Sequence, residues 1–439
     1  LEYVKEFHMD QEEELTSELL EEFIQQHRTL VLRYEELDRM YRGIHPILRM
    51  AEKALFKPDN RLVVNYAKFI VDTFNGFFMG EPVKVTSDRE EVAEYIRLIE
   101  KYNDIDDNNA DLSKKCSIYG HAFELVFLDE EAQIGVTNID PKECFIIYDN
   151  SIRERPLYGV RYRVDEERKI EGTISDPEKI HYFAIGDDGL VFTEEKPNYF
   201  GDIPIIEYVE NEERMGAFEP VETLINAYNK AISEKTNDVD YFADAYMKIL
   251  GAMLDEETLQ QIRDNRIINM AGQGDGNLVV EFMGKPNADE TQENLLDRLE
   301  KLIFAISMVA NITDETFGTA SGIALKYKLL SMSNLANTKE RKFTKGFNRR
   351  FQLISQVPNA KISPEDLWGI EYQFTRNMPN NLAEEAEQAR ALKGIVSDKT
   401  ILQALSIVQD VGAEVERLEE ENAYIDPYIA ERVSDDGEE

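Results

Sequence analysis

Two long amphipathic stretches bracket a compact insert, and this arrangement limits the possible folds more than any composition figure does. From Glu219 onward, Val221, Leu224, Ile225, Tyr228, Ile232, Val239, Phe242, Tyr246, Ile249 and Leu250 recur at spacings that predict one helix over 219–250, with a polar middle. Pro220 suits its first turn, where a missing N–H costs nothing. At full length it would run roughly 46 Å. A second helix is predicted over 289–310, with Leu295, Leu299, Leu302, Ile306 and Val309 on one face. Between them, after Gly251, the pattern reads as a short helix (256–263) and two strands (267–270 and 278–283) joined by Gly272-Gln273-Gly274-Asp275-Gly276. The helices therefore flank a small α/β module.

Length and charge bound what such a chain can do. Its 439 residues are roughly three times a typical domain, so two or more compact units are expected, and 42% hydrophobic residues can fill their cores. A duplex-DNA binder neutralises phosphates with lysine and arginine. Here 49 basic residues face 87 acidic ones, a net charge of −38, which argues against a conventional nucleic-acid surface and against docking on anionic membrane. Cys116 and Cys144 are too few for a disulfide framework, so a reduced, intracellular setting is expected. Residues 1–20 carry acids where a signal peptide would carry a basic start and an apolar run. The longest apolar stretch, 302–310, is far short of the roughly 20 residues of a spanning helix, so a soluble chain is expected. The sequence opens on Leu1, from which a lost natural start is expected.

The remaining segments complete an α+β pattern. The acidic run 10–22, with Leu15, Leu19, Phe23 and Leu30 at helical spacing, predicts an amphipathic surface helix. Another is predicted over 65–78, where Ile70, Phe74, Phe77 and Phe78 form a stripe before Gly80 and Pro82. From 122 to 208 the texture becomes antiparallel β, with runs at 123–128, 144–148, 157–164, 180–185 and 190–193 separated by turn signals such as Asp140-Pro141, Asp149-Asn150 and Asp187-Asp188-Gly189. After the polar segment 311–320, Ser321 can cap a third long helix over 321–355, striped by Leu325, Leu329, Met332, Ala336, Phe343, Phe347, Phe351 and Ile354. Between 321 and 350 this helix carries eight basic residues (Lys326, Lys328, Lys339, Arg341, Lys342, Lys345, Arg349, Arg350) against one acid, Glu340, reversing the sign of the chain. A strand is predicted over 368–374, and an acidic helical region from 381 with a cap at Ser397 or Asp398 and a fraying end.

No motif supplies a catalytic anchor. A phosphate-cradling glycine loop must open a helix, whereas the glycines at 272, 274 and 276 precede a strand and read as a hairpin turn. Asp104, Asp106 and Asn108 echo half a calcium loop, but Asn109 and Lys115 stand where glycine and glutamate belong, so a helix cap or loop is expected. His8, His27, His45, His121 and His181 never pair at i+3 or i+4, and no zinc, nucleophile-elbow or Walker pattern is present. The cysteines read as core residues. The sequon at Asn311 carries no weight without secretion. The basic helix has two readings: its charges pair with acids of neighbouring helices, or some, Lys326 and Lys328 foremost, face a polyanion. Segment 311–320 is either a plain connection or a loop projected from two long helices.

The order of elements resembles the portal proteins of tailed bacteriophages, in particular siphophages of Gram-positive hosts. The resemblance is carried by 65–80 followed by Glu81-Pro82-Val83, by Tyr119-Gly120-His121-Ala122-Phe123, and by Thr319-Ala320-Ser321-Gly322-Ile323-Ala324-Leu325-Lys326, which looks like the family's Ser-Gly-x-Ala-Leu-Lys signature. It covers nearly the whole chain.

The resemblance implies a portal-protein fold and a ring, usually of twelve subunits, at one capsid vertex, through which double-stranded DNA is packaged and ejected. Residues 1–218 would hold N-terminal helices and the β-rich wing, 219–250 and 289–310 the stem helices, and 251–288 the clip. The tunnel loop would be 311–320, the tunnel helix and the rest of the wing 321–380, and a small crown and tail 381–439. Implied partners are the terminase large subunit, a head-completion adaptor, and the scaffolding and major capsid proteins, with no membrane, cofactor, metal or catalytic site. The implied setting is the virion, with host cytoplasm during assembly. Candidate residues are Asn311, Thr313, Asp314, Glu315, Thr316, Gly318 and Thr319 in the tunnel loop. Ser321, Lys326 and Lys328 are candidates for facing DNA, and Arg263, Asp264, Gln273 and Asp275 for the clip. Excess acid then acquires a use, because a wall that repels phosphates lets the duplex slide. On this reading Asp314 and Glu315 lie near the constriction and Lys326 or Lys328 forms a sparse basic ring. The competing expectations are a non-phage helical adaptor, monomeric or dimeric, and a metal-dependent nuclease.

Overall fold

A computed structural model describes residues 3–53, 58–167, 169–186, 189–243, 247–250, 279–282, 289–313, 322–358, 360–377, 382–405, 407–408, 411–412 and 414–419. The chain divides into two compact units, one of residues 1–315 and 328–376, the other of 316–327 and 377–439.

The first unit opens with Phe7–Met9 (β1) and Ser17–Tyr41 (α1). The helix predicted over 10–22 starts only at Ser17. Asp10 holds a turn instead, its carboxylate accepting the Glu12 N–H at 3.1 Å, and the Thr16 hydroxyl caps the helix by accepting the Leu19 N–H at 3.3 Å. The buried stripe is Leu20, Phe23, Ile24, His27, Leu30, Tyr34 and Leu37. Tyr66–Met79 (α2) forms where the sequence predicts it. Asn65 accepts the Lys68 N–H at 3.1 Å and donates to the Tyr41 carbonyl at 2.9 Å, which ties the start of α2 to the end of α1.

Lys84–Ser87 (β2), Glu90–Tyr102 (α3) and Ile105–Tyr119 (α4) follow. The stretch that echoes a calcium loop begins at the corner between α3 and α4, with Asp104 at φ 47°, and continues into α4, which holds Asp106, Asn108, Asn109 and Lys115. Gly120, at φ +92°, ends α4; a Cβ there would sit 2.1 Å from the Arg214 carbonyl oxygen, so the Tyr-Gly-His turn needs glycine.

The β-rich part contains His121–Leu128 (β3), Ile134–Ile139 (β4), Cys144–Asp149 (β5), Pro156–Val164 (β6), Ile170–Ser175 (β7), Lys179–Gly186 (β8), Gly189–Pro197 (β9) and Ile205–Val209 (β10). Every predicted run lies in a strand, but the strands form two sheets. One has the order β1-β5-β6-β7-β8-β9, antiparallel except for the parallel β1/β5 pair, and the other is an antiparallel β10-β3-β4. Phe123, Ile139, Cys144, Ile146, Ile203 and Ile205 bury a shared apolar cluster drawn from strands of both sheets. The open edge of β4 is covered by Asn103, which accepts the Val136 N–H at 2.7 Å and donates to the Ile134 carbonyl at 2.9 Å.

A 3-10 turn at Glu219–Val221 leads into Glu222–Ala243 (α5). The helix predicted to reach 250 does not: Met247–Leu250 (β11) is a strand, antiparallel to Val279–Phe282 (β12), with Ile249 opposite Val280. The predicted hairpin thus has 247–250 opposite its second strand, while 256–263, 267–270 and the glycine loop lie outside the described residues. Asp289–Ser307 (α6) packs along α5 and stops short of 310, because Met308 takes φ 59°. Its buried apolar residues are Leu296, Leu299 and Ile303, while Leu295 and Ile306 are exposed.

Gly322–Lys328 (α7) and Leu330–Gln356 (α8) replace the single helix predicted over 321–355. Leu329 interrupts it, with φ −88° and ψ −1°, well off helical ψ. Ile370–Gln373 (β13) pairs with β2, and Trp368, predicted in the strand, lies in the preceding 3-10 turn and is exposed. In the second unit, Leu382–Leu392 (α9) and Asp398–Ala404 (α10) are helical, and Ser397 caps α10 by accepting the Thr400 N–H at 3.3 Å.

Candidate functional site

The polar middle of α5 is a buried, hydrogen-bonded face. Asn229, Ser233 and Asn237, four residues apart, are all buried against the extended segment 60–64. The Val64 N–H donates to Asn229 Oδ1 at 2.8 Å, the Leu62 N–H to Ser233 Oγ at 2.9 Å, and the Asn60 N–H to Asn237 Oδ1 at 2.6 Å. Four helical residues rise about 6 Å and two extended residues about 6.7 Å, so the side-chain ladder stays in step with alternate backbone amides. The spacing Asn-x3-Ser-x3-Asn was legible in the sequence as a signal, yet helix periodicity alone reads it only as weakness.

The base of α5 is fixed by charge. Arg33 on α1 makes a forked pair with Glu219, Nε to Oε1 at 2.8 Å, and donates to the carbonyls of Tyr119 at 3.1 Å and Arg214 at 3.0 Å. Arg214, at φ 50°, forks onto Glu207 at 2.8 and 2.9 Å. Glu207 also accepts from His121 Nδ1 at 2.5 Å and from the Tyr148 hydroxyl at 2.7 Å, and His121 Nε2 meets the Tyr34 hydroxyl. Burial opposes ionisation of Glu207, but Arg214 and His121 outweigh it and hold the carboxyl well below the usual range. Burial lowers the His121 imidazole and raises the Tyr34 phenol. Nearby, His27 is pushed down to about 3 by burial. Its Nδ1 meets the Tyr162 hydroxyl at 2.8 Å and its Nε2 the Pro141 carbonyl at 2.9 Å, an arrangement suited to a neutral ring.

The basic helix divides by face. Lys339 on α8 is fully buried; its ammonium contacts Glu210 at 2.6 Å, Ser117 Oγ at 2.8 Å and the Ser113 carbonyl at 2.9 Å, with the Phe74 and Phe78 rings at 5.2 Å. Burial raises the Glu210 carboxyl, opposed by the Lys339 charge. Arg350 forks onto Glu124 at 2.8 and 2.5 Å and donates to Asn109 at 2.7 Å, while Arg349 pairs with Asp202 at 2.5 Å. Glu340 is held by Arg376. The pairing reading therefore applies to these residues, but Glu124 and Glu210 lie on β3 and just after β10 rather than on neighbouring helices.

Arg341 and Lys345 project outward from α8, with Lys342 half-buried beside them, and none of the three forms an ion pair with another described residue. Lys326 and Lys328 are both exposed on α7. Asn311 and Thr313 sit together after α6, Asn311 Oδ1 accepting the Thr313 N–H at 3.1 Å. Asp314, Glu315, Thr316, Gly318, Thr319, Ser321, Arg263, Asp264, Gln273 and Asp275 lie outside the described residues. Among the described residues no group of His, Cys, Asp and Glu is placed to hold a metal ion, and no helix is long and apolar enough to cross a membrane.

The family described as "Phage portal protein, SPP1 Gp6-like" matches residues 20–428. The portal protein of Bacillus phage SPP1 is 25% identical over 397 residues, 83% of this chain and 76% of the relative. That of Clostridium phage phiCD119 is 24% identical over 433 residues, 92% of this chain and 93% of the relative. Among solved structures, a chain in the neck of an empty GTA particle, computed with C6 symmetry, matches at a TM-score of 0.46 and 12% identity, covering 77% of this chain and 90% of that one.

Proposed function

The chain belongs to the SPP1 Gp6-like family of phage portal proteins, and from that membership we propose that it assembles as a ring of twelve copies at one capsid vertex, with double-stranded DNA passing through the axial channel in packaging and ejection. The observation that carries this reading is a family match over 20–428 that contains, in order, a long helix, a small insert and a second helix packed along the first. In this reading α5 and α6 are the stem and 251–288 the clip; β12 falls within the clip range and pairs with β11, which closes the stem range 219–250. Residues 311–320 form the tunnel loop, α7 and α8 the tunnel helix, the two sheets the wing, and 381–439 the crown.

The terminase large subunit and later a head-completion adaptor dock on the clip, with Arg263, Asp264, Gln273 and Asp275 as contact residues. The scaffolding and major capsid proteins meet the ring's periphery. The protein is structural rather than catalytic; it resides in the virion and passes through host cytoplasm during assembly. Asp314 and Glu315 lie near the constriction, while Lys326 and Lys328 touch phosphates briefly and sparsely, because dense cations would hold the duplex.

Negative-stain microscopy of the purified protein should show rings with an axial hole. Monomers or dimers at all concentrations would favour a helical adaptor instead, and metal-dependent nicking of plasmid would favour a nuclease. Heads assembled with Lys326→Ala and Lys328→Ala together should contain an altered amount of DNA; unchanged content would remove the basic ring from this account.

A further inference from the structure

The outward side of α8 gathers cations in a strongly acidic chain. Along its middle the exposed positions are Asn334, Asn337, Thr338, Arg341, Lys345, Asn348 and Gln352, with Lys342 at the flank. No acid stands among them. Some exposed cations of the first unit pair with carboxylates on their own helix, Arg39 with Glu35 and Glu36, Arg42 with Asp38, Lys68 with Asp72; others, such as Arg28 and Lys101, form no ion pair with a described residue but stand singly among acids. In a chain with 87 acids and 49 bases, three adjacent cations without an ion pair among the described residues form a face that a polyanion would fit.

The same unit carries the opposite surface. Residues 10–22 hold seven acids and no lysine or arginine. Asp10, Glu12, Glu13, Glu14, Glu18 and Glu22 are exposed, and none forms an ion pair with another described residue. The two surfaces sit on elements packed against different sheets, α1 against β9 and α8 against β10 and β3. A closed ring is built from heterologous contacts, in which one patch of each copy meets a different patch of the next, and complementary charge is the simplest way to fix that pairing.

We propose that the Arg341, Lys342 and Lys345 face of α8 binds the acidic 10–22 segment of the neighbouring copy in the ring. Duplex DNA is the other polyanion in reach. Three cations per copy, repeated around a ring, would neutralise many phosphates at once and hold the DNA, whereas a channel must let it slide. A fixed protein partner has no such constraint.

This inference rests on the ring reading, and charge reversal of the full chain separates the two. Arg341→Glu with Lys345→Glu should raise the concentration for half-assembly about tenfold or more by native mass spectrometry, with circular dichroism and thermal midpoint unchanged, since both side chains are exposed. Glu18→Lys with Glu22→Lys should do the same. The four changes together should restore rings. Rings that tolerate the first pair, or a combined variant that fails to recover, overturn the pairing alone. So do intact rings of the first variant whose retention of duplex DNA on filters falls, which would assign the face to DNA. Wild-type protein that never forms rings overturns the portal reading and this pairing with it.

Discussion

Lys339 and Arg341 stand two positions apart on α8, about 200° around the helix, and serve opposite physical ends. Lys339 is fully buried among Phe74, Phe78 and Phe343 and survives there because Glu210, Ser117 and the Ser113 carbonyl satisfy its ammonium. Arg341 faces solvent with no ion pair to a described residue. The inner charge cannot be removed without stranding its partner, while the outer one is free to serve another molecule. Identical charge thus fixes the helix on one side and leaves it open to a partner on the other.

The sharpest way to break the comparison is at Lys339. Lys339→Met should lower the unfolding free energy in chemical denaturation by about 3–5 kcal/mol, because Glu210 remains buried and unpaired. Adding Glu210→Leu should recover most of that loss; no recovery would mean that shape rather than charge is what the site requires.

Acid titration tests burial of a different basic group. His27 falls from 6.5 to about 3 on folding, so the unfolded chain takes up the proton first. Its contribution is complete above pH 6.5 and drains as pH falls toward 3, at about 1.4 kcal/mol per unit. His27→Gln should flatten this acid limb in stability measured across pH.

Packing distinguishes the faces next. Gly346 lies on the inner side, where an added Cβ would sit 2.3 Å from the Tyr208 ring. Gly346→Ala should cost about 1–3 kcal/mol by overpacking, although alanine normally gains roughly 1 kcal/mol over glycine inside a helix. The smallest effect belongs outside: Arg341→Ala with Lys345→Ala should leave monomer stability within about 0.5 kcal/mol. A larger loss would show that the outer face is not independent of the core.

Local chemistry made much of the fold legible. The α2 stripe and the Ser397 cap need only neighbours a few residues away, and both form as read. Met247–Leu250 did not, because a four-residue segment with three apolar residues around Lys248 fits either period, and strand β12, some thirty residues on, decides between them. On α6, leucines and isoleucines occupy two adjacent stripes, and the packing of α5 selects Leu296 and Ile303 over Leu295 and Ile306. The ladder of Asn229, Ser233 and Asn237 was invisible to hydropathy because its partner, 60–64, is about 165 to 177 positions away.

The sequence by itself determined the family, through the order of its motifs and the bracketed insert, and it determined the excess of acid and the one basic helix that reverses it. Only the tertiary structure decided which of those cations are bound and which are left for a partner. Lys339 and Arg350 meet Ser113 and Glu124, each 226 positions away. Such pairings depend on which strands pack beneath the helix, and no local pattern of residues carries that information.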